Sequence, residues 1–302
     1  MYSGQIPLDS IGPLDLQATL ESGQSYLWWR EDGPAYGDPP GSDSQSTTGP
    51  WYYTTTRANG NPDALRVRTT ETNLEWESTT DAAAVVPRRL GLADDLAAIR
   101  AQAPADDVVE SAFDAYWGMR VVRGPAFPTL VSFICSTQMR VGRIHAMQQS
   151  LRESLGQTVT FEGKTIHAYP TPERLATTSE AALRDLSLGY RAPYVQETAA
   201  MVAEGVAPDD VRGSPYEDAR EELTRYVGVG QKVADCVLLF SLGYLEAVPL
   251  DTWMQRTVAT YYPDCDRDRY AETSRALRER LGGEIAGYTQ TYLFHYLRNG
   301  GG

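Results

Sequence analysis

Only two of the chain's twenty-seven basic residues are lysines, Lys164 and Lys232. Lys232 follows the turn string Gly228-Val229-Gly230-Gln231 and stands nineteen positions before Asp251. A primary amine can attack a carbon centre and form a Schiff base, which a guanidinium cannot do. Such an attack needs a neutral amine, and burial lowers an amine's pKa. It also needs a carboxylate placed to stabilise developing positive charge. Asp251 fits that need, because it joins Val248-Pro249-Leu250 to Thr252-Trp253-Met254, where a helix N-terminus favours a negative charge. Cys236 lies four residues after Lys232 and therefore on the same helix face. Taken singly, the lysine reads more readily as a solvated helix residue and the glycines as a turn between core helices, and the aspartate reads as an ordinary N-cap.

The elements that must position these groups are a helix, a Gly-Val-Gly turn at Gly228, Val229 and Gly230, and a second helix starting near Lys232. This is a helix-hairpin-helix. Its glycines permit a tight turn and leave backbone N–H groups bare enough to approach a phosphate without reading sequence.

Forty acidic residues give a formal charge of -13 and a pI near 4.7. Taken alone, that balance argues against a nucleic-acid partner. The scarcity of lysine weakens this inference, since abundant Asp and Glu with depleted Lys resembles the composition of salt-in halophiles, where acidity is a solvent adaptation. At molar salt, phosphate contacts yield little counterion-release free energy, so shape and backbone hydrogen bonds must carry any DNA binding. Cys135, Cys236 and Cys265 suit neither a disulfide framework nor a metal cluster, and His145, His167 and His295 fall at no ligand spacing. No metal site is expected. No apolar run spans a bilayer and the first residues lack a secretory pattern, so an intracellular protein without a membrane partner is expected.

From Leu14 to Glu77 the chain reads as strands, namely Ser25–Arg30, Trp51–Thr56 and Leu65–Thr70, separated by turns at Gly33-Pro34, Asp38-Pro39-Pro40-Gly41 and Asn59-Gly60-Asn61-Pro62. The stretch Gly41 to Gly49 reads as a loop. After Ala82 the period becomes helical, with segments Leu130–Leu151, Glu173–Leu186, Arg191–Glu204, Ser214–Tyr226, Lys232–Leu242, Thr252–Tyr262 and Tyr270–Leu281. The expected class is α+β: an N-terminal antiparallel β-sheet domain over residues 1–105, then an all-helical domain over 106–302.

The string Gly228-Val229-Gly230-Gln231-Lys232-Val233-Ala234-Asp235-Cys236, continued by Ala247-Val248-Pro249-Leu250-Asp251, resembles the helix-hairpin-helix and Gly/Pro-Asp signature of the DNA glycosylase superfamily. It is most similar to the lysine-bearing branch of eukaryotic-type 8-oxoguanine DNA glycosylases. Four further blocks resemble family strings in the same order: Ser22–Tyr26, Ser132–Ser136, Leu188–Val195 and Gln290–Phe294.

The resemblance implies base-excision repair of duplex DNA containing an oxidised purine, by a monomer of the cytoplasm or nucleoid that requires no cofactor. Lys232 would be the nucleophile and Asp251 its electrostatic partner, giving base excision and then strand cleavage by β-elimination. The base must leave the stack to be reached. Phe294 would stack on it, Gln290 would bond its Watson–Crick edge, and the Gly23 carbonyl would accept the N7–H that distinguishes 8-oxoguanine from guanine. Cys236 would form a charge pair with Lys232. Tyr190 would wedge the duplex, Arg191 and Arg143 would contact the estranged cytosine, and Gln138 would fill the vacated gap. The hairpin backbone at Gly228, Val229 and Gly230 would grip phosphate, and its carbonyls could hold a structural cation. The chain departs from the family pattern at Thr137-Gln138-Met139-Arg140, where an asparagine-rich stretch is usual, and at Trp253, where histidine is usual. Competing readings are a glycosylase for another damaged purine such as an alkylated one, a non-catalytic DNA-binding module, and a hairpin for protein contacts.

Overall fold

The computed structural model describes residues 1–33, 48–57 and 60–301. The turn expected at Asp38–Gly41 and most of the Gly41–Gly49 loop lie outside the described residues, as do Pro34 and Asn59. An antiparallel sheet opens the chain, built from β1 (Tyr2–Pro7), β2 (Trp29–Arg30), β3 (Tyr52–Arg57), β4 (Pro62–Thr69) and β5 (Asn73–Ser78), in the order β1-β5-β4-β3-β2. Alternation along these strands separates two faces. Tyr52, Leu65, Val67, Leu74 and Trp76 enter the main core, whereas Trp51, Tyr53 and Ala64 point the other way.

The sequence reading is corrected at three places. The segment Ser25–Arg30 is strand only at Trp29–Arg30, because Tyr26, Leu27 and Trp28 are all buried in irregular backbone and do not alternate. β1 precedes the first expected strand and pairs along its whole length with β5, from Tyr2 opposite Ser78 to Pro7 opposite Asn73. The C-terminal part is not all-helical. Residues Thr158–Phe161 (β6) and Lys164–His167 (β7) form a hairpin whose turn places Glu162 and Gly163 at φ 51° and 71°. Phe161 and Ile166 from this hairpin cover the outer face of the sheet at Trp51, Tyr53 and Ala64. Lys164 fastens the hairpin through Glu31 at 2.8 Å and the Tyr53 hydroxyl at 3.3 Å.

The sheet ends at Ser78 and the helices Val85–Arg89 and Leu96–Gln102 precede the expected boundary at residue 105, across which one apolar core runs from Leu16 to Leu293. At its centre lie the helices Ala126–Cys135, Gln231–Val237 with its π-helical continuation Leu238–Leu242, and Ala286–Arg298. Every residue from Leu238 to Leu242 is buried, as expected of a helix apolar on all sides.

The expected helix Leu130–Leu151 is two helices, Ala126–Cys135 and Val141–Leu155. Apolar periodicity continues through the gap, which is why the sequence reads as one. Within the gap Gln138 turns to φ 54°, which interrupts the helix, and Arg191 Nη2 donates to the Thr137 carbonyl. Between Glu173 and Leu186 a similar break separates Pro172–Thr177 from Glu180–Leu183. Ser187, with φ 70°, then turns the chain toward Tyr190.

The hairpin closes as its glycines require. Gly228 has φ 79°, and a Cβ placed on it would lie 2.7 Å from Tyr194 Cβ and Cγ, whereas Gly230 has no neighbour within 4 Å of such an atom. Thr198 Oγ1 donates to the Val227 carbonyl at 2.9 Å and pins the turn to the helix Ala192–Ala203. Gly228→Ala is therefore expected to cost about 1–3 kcal/mol in denaturant unfolding, and Gly230→Ala no more than about 1 kcal/mol. Equal costs would show that steric closure against Tyr194 does not shape the turn.

Candidate active site

Lys232 is the second residue of the hairpin helix and is half-buried. Its Nζ donates to Ser136 Oγ at 2.9 Å and lies 5.3 Å from the Phe133 ring centroid. Ser136 Oγ itself donates to the Phe133 carbonyl at 2.8 Å, so a lone pair of the hydroxyl faces the lysine. Ser136 caps the C-terminal end of the helix Ala126–Cys135. Ser136 received no role from the sequence, since nothing in local spacing connects residues 96 apart.

Asp251 caps the helix Thr252–Tyr261, accepting the Met254 N–H at 2.8 Å through Oδ1. The cap fixes the carboxylate at a helix N-terminus, as its residue type predicts. Lys232 and Asp251 line one cavity of about 370 Å³ together with Gly23, Cys236, Gln290 and Phe294. The cavity thus gathers all six residues expected to catalyse or to recognise a base.

Gly23 reaches it from a turn with φ 94°, and a Cβ there would sit 3.8 Å from Phe294 Cε1. The turn is fixed by its neighbour Gln24, whose side chain donates to the Ser22 hydroxyl and the Arg120 carbonyl and accepts the Val122 N–H at 3.0 Å. Gln290 and Phe294 are one turn apart on Ala286–Arg298. Phe294 is half-buried, with Trp253 edge-on at 5.6 Å and the Arg298 guanidinium 5.6 Å from its ring. Gln290 is buried, and its Oε1 has no hydrogen-bond partner. A buried acceptor left unpaired costs about 1–3 kcal/mol, and Gln290 lines the cavity, where a bound donor could satisfy it.

Lys232 and Cys236, expected to form a charge pair, stand one turn apart on the same helix and line the same cavity. Burial pushes the Cys236 thiol up to about 12, against the lowering influence of Lys232.

The remaining expected residues lie outside the cavity lining. Gln138 and Arg143 are exposed, flanking the break before Val141–Leu155. Tyr190 is 51% exposed, with its hydroxyl 3.3 Å from Thr137 Oγ1 and its ring edge-on to Tyr194 at 6.3 Å. Arg191, expected at a base edge, is buried, its guanidinium bound to Thr137 and stacked 4.3 Å from the Tyr190 ring. Gly228 and Gly230 are exposed, while Val229 is buried under the turn. Among the described residues, no group of three or more His, Cys, Asp or Glu could hold a metal ion, and no helix is long and apolar enough to cross a membrane.

Behind the site lies a carboxyl that sequence reading passed over. Asp235 is fully buried, accepts the Tyr216 and Tyr270 hydroxyls at 2.7 Å each, and has Arg220 at 3.9 Å. Burial outweighs these partners and raises it to about 7.

The arrangement is an amine and a carboxylate beside an apolar slot bearing one unpaired polar acceptor. Residues 131–282 match the HhH-GPD superfamily of base excision DNA repair proteins. That match covers half of the chain, which belongs to this family. Within the family, the chain is 35% identical over 194 residues to a probable N-glycosylase/DNA lyase of Methanothermobacter thermautotrophicus. That alignment covers 58% of this chain and 62% of the relative's length. Among solved structures it is similar to MBOgg1 in complex with a low-affinity DNA ligand, with a TM-score of 0.83, 27% identity and coverage of 99% and 96% of the two chains. It also shares the fold of the Clostridium acetobutylicum 8-oxoguanine glycosylase/lyase bound to duplex DNA, with a TM-score of 0.80, 24% identity and coverage of 95% and 92%. The α+β class inferred from the sequence is the class of these structures.

Two outcomes test the electrostatics. Iodoacetamide at pH 8 is expected to modify Cys236 far more slowly than a free cysteine, as read by peptide mass spectrometry; rapid modification would mark a thiolate. For Asp235, the folded pKa lies above the unfolded one, so its stabilising contribution is present at pH 4 and is lost as pH rises through 7. Asp235→Asn should therefore gain stability relative to the parent between pH 5 and 8, on the order of 2–4 kcal/mol by denaturant unfolding. A constant difference across that range would place the carboxyl's pKa outside it.

Proposed function

We propose that the protein is a bifunctional DNA glycosylase that extrudes 8-oxoguanine from duplex DNA, excises it and cleaves the resulting site by β-elimination. The observation that carries this reading is the single cavity joining Lys232 and Asp251 to Gly23, Cys236, Gln290 and Phe294. The names of the relatives support it, although the alignment spans 62% of the first relative's own length.

In this mechanism the neutral Lys232 amine attacks C1′ of the extruded nucleotide. The glycosidic bond breaks, and its electron pair leaves on the base nitrogen, which takes up a proton. Asp251, fixed by its cap on Met254, stabilises positive charge growing on the sugar. Ring opening gives a Schiff base with Lys232, loss of a C2′ proton follows, and the 3′ phosphate departs as the C3′–O bond breaks. Ser136 Oγ, which accepts a hydrogen bond from Nζ, helps to orient the amine. Phe294 offers the stacking face and Gln290 Oε1 the acceptor for the base edge; the Gly23 carbonyl would take the N7–H. A guanine presents a lone pair there and is rejected.

Exposed Arg143, Gln138 and Tyr190 form the rim on which the duplex would rest, and Arg191 acts through Thr137 by shaping it. Arg140 and Arg143 form no ion pair among the described residues, which leaves cationic groups free for phosphate in a chain of net charge -13. The chemistry calls for no cofactor. The turn carbonyls would be the ligands of a structural cation. Val227 O already accepts Thr198 Oγ1, and a carbonyl keeps a second lone pair for such an ion. The acidic, lysine-poor composition supports function in the salt-rich interior of a halophile.

The test is borohydride trapping on duplex DNA with 8-oxoguanine opposite cytosine, across a salt series. The expected result is a covalent complex that requires the lesion and disappears in Lys232→Gln, with lesion binding retained. Asp251→Asn is expected to slow base release about 10²- to 10³-fold in single turnover. Lesion binding without trapping or base release would favour a binding module. Release of alkylated purines in place of 8-oxoguanine would favour the other-purine reading.

A further inference from the structure

The segment that delivers Asp251 has no regular structure. Residues 247–251 run between the π-helical turn Leu238–Leu242 and the helix Thr252–Tyr261, with Ala247, Val248 and Leu250 buried. Buried irregular backbone must find hydrogen-bond partners outside itself. Pro249 has no N–H to offer. The Leu250 N–H, immediately before Asp251, donates to the Tyr270 hydroxyl at 3.1 Å, and the Val248 carbonyl accepts Ser274 Oγ at 3.4 Å. Both partners come from the helix Tyr270–Arg280, which contributes no residue to the cavity lining.

The Tyr270 hydroxyl has one proton, and it is committed. It donates to Asp235 Oδ2 at 2.7 Å, which leaves its lone pair to receive Leu250 N–H. Asp235 belongs to the helix that carries Lys232, three residues further along. A chain of two hydrogen bonds thus runs from the lysine's helix, through Tyr270, to the backbone beside the aspartate. The other Asp235 oxygen accepts Tyr216, whose hydroxyl also receives Arg220 Nη1 at 3.2 Å. Tyr216 and Tyr270 therefore hold the same buried carboxyl; Tyr270 bonds the Asp251 segment directly, beside Asp251 itself, whereas Tyr216 reaches only its far end at Val248, through Ser274.

We propose that Tyr270 is a positioning residue for the base-release step, its hydroxyl fixing Asp251 relative to Lys232 through Asp235 and the Leu250 N–H. The inference rests on the lysine-nucleophile reading above. A residue with this role acts on the chemical step and not on lesion binding, because Gly23, Gln290 and Phe294 are carried by other segments. Small misplacement of a charge-stabilising group lowers the rate steeply.

The experiment compares Tyr270→Phe with Tyr216→Phe in the full chain, using single-turnover base release and lesion-duplex binding with the 8-oxoguanine·cytosine duplex. Each variant removes one oxygen from the same carboxyl's partners and keeps the ring, so Tyr216→Phe reports what loosening Asp235 does by itself. The expected result is a loss of roughly 10- to 100-fold in base-release rate for Tyr270→Phe, with lesion-duplex Kd within about threefold and Tyr216→Phe near the parental rate. Equal rates for parent and Tyr270→Phe would overturn the proposal, as would equal losses in the two variants. Parent protein and Lys232→Gln are trapped alongside. If the parent gives no covalent complex, the lysine-nucleophile reading fails and takes this inference with it; if the parent traps and Tyr270→Phe keeps its rate, only the inference falls.

Discussion

The central helix is interrupted after Cys135, and the arrangement around the site depends on how that gap is braced. Arg191 donates to the hydroxyl and the carbonyl of Thr137, and Gln138 beside it takes a left-handed conformation that an α-helix does not accommodate. The chain restarts as a helix with Arg143 in its first turn. From the sequence Arg191 is expected to contact DNA; in the folded chain its Nε and Nη2 bond Thr137.

Charge is handled differently at the front and the back of the site. At the front, Lys232 is half-buried, with a hydroxyl and an aromatic face as its neighbours. At the back, Asp235 is wholly enclosed, and two tyrosine hydroxyls with Arg220 only partly offset its lost hydration. A buried carboxyl is costly even with both oxygens hydrogen-bonded, and its retention beside the lysine is in keeping with a site that trades stability for placement. Burial likewise pushes the pKa of the Cys236 thiol up, against the lowering influence of Lys232.

The sheet and the hairpin Thr158–His167 serve the site at a distance. Gln24 ties the Gly23 turn to Arg120 and Val122, and His145 on the second half of the broken helix bonds the Trp28 carbonyl at 3.0 Å. The strand-rich part is therefore built into the same core as the helices, which lets a glycine from its first thirty residues stand opposite a phenylalanine near the C-terminus.

Much of this was legible in the sequence. Residue type and spacing determined the glycine hairpin, the capping aspartate and the shared faces of Lys232 with Cys236 and of Gln290 with Phe294, because helix periodicity and capping are local and need no tertiary partner. The change from strand to helix period likewise gave the α+β class. The strand β1 and the hairpin Thr158–His167 escaped, since short alternating runs gain their stability from the strands and core they pack on. Tertiary structure alone decided where the long helix breaks, that Ser136 meets Lys232, that Arg191 bonds Thr137 and that Cys236 is buried. Each of these follows from side chains far apart in sequence competing for one carbonyl, one amine or one dry volume, and no local pattern records the outcome of such a competition.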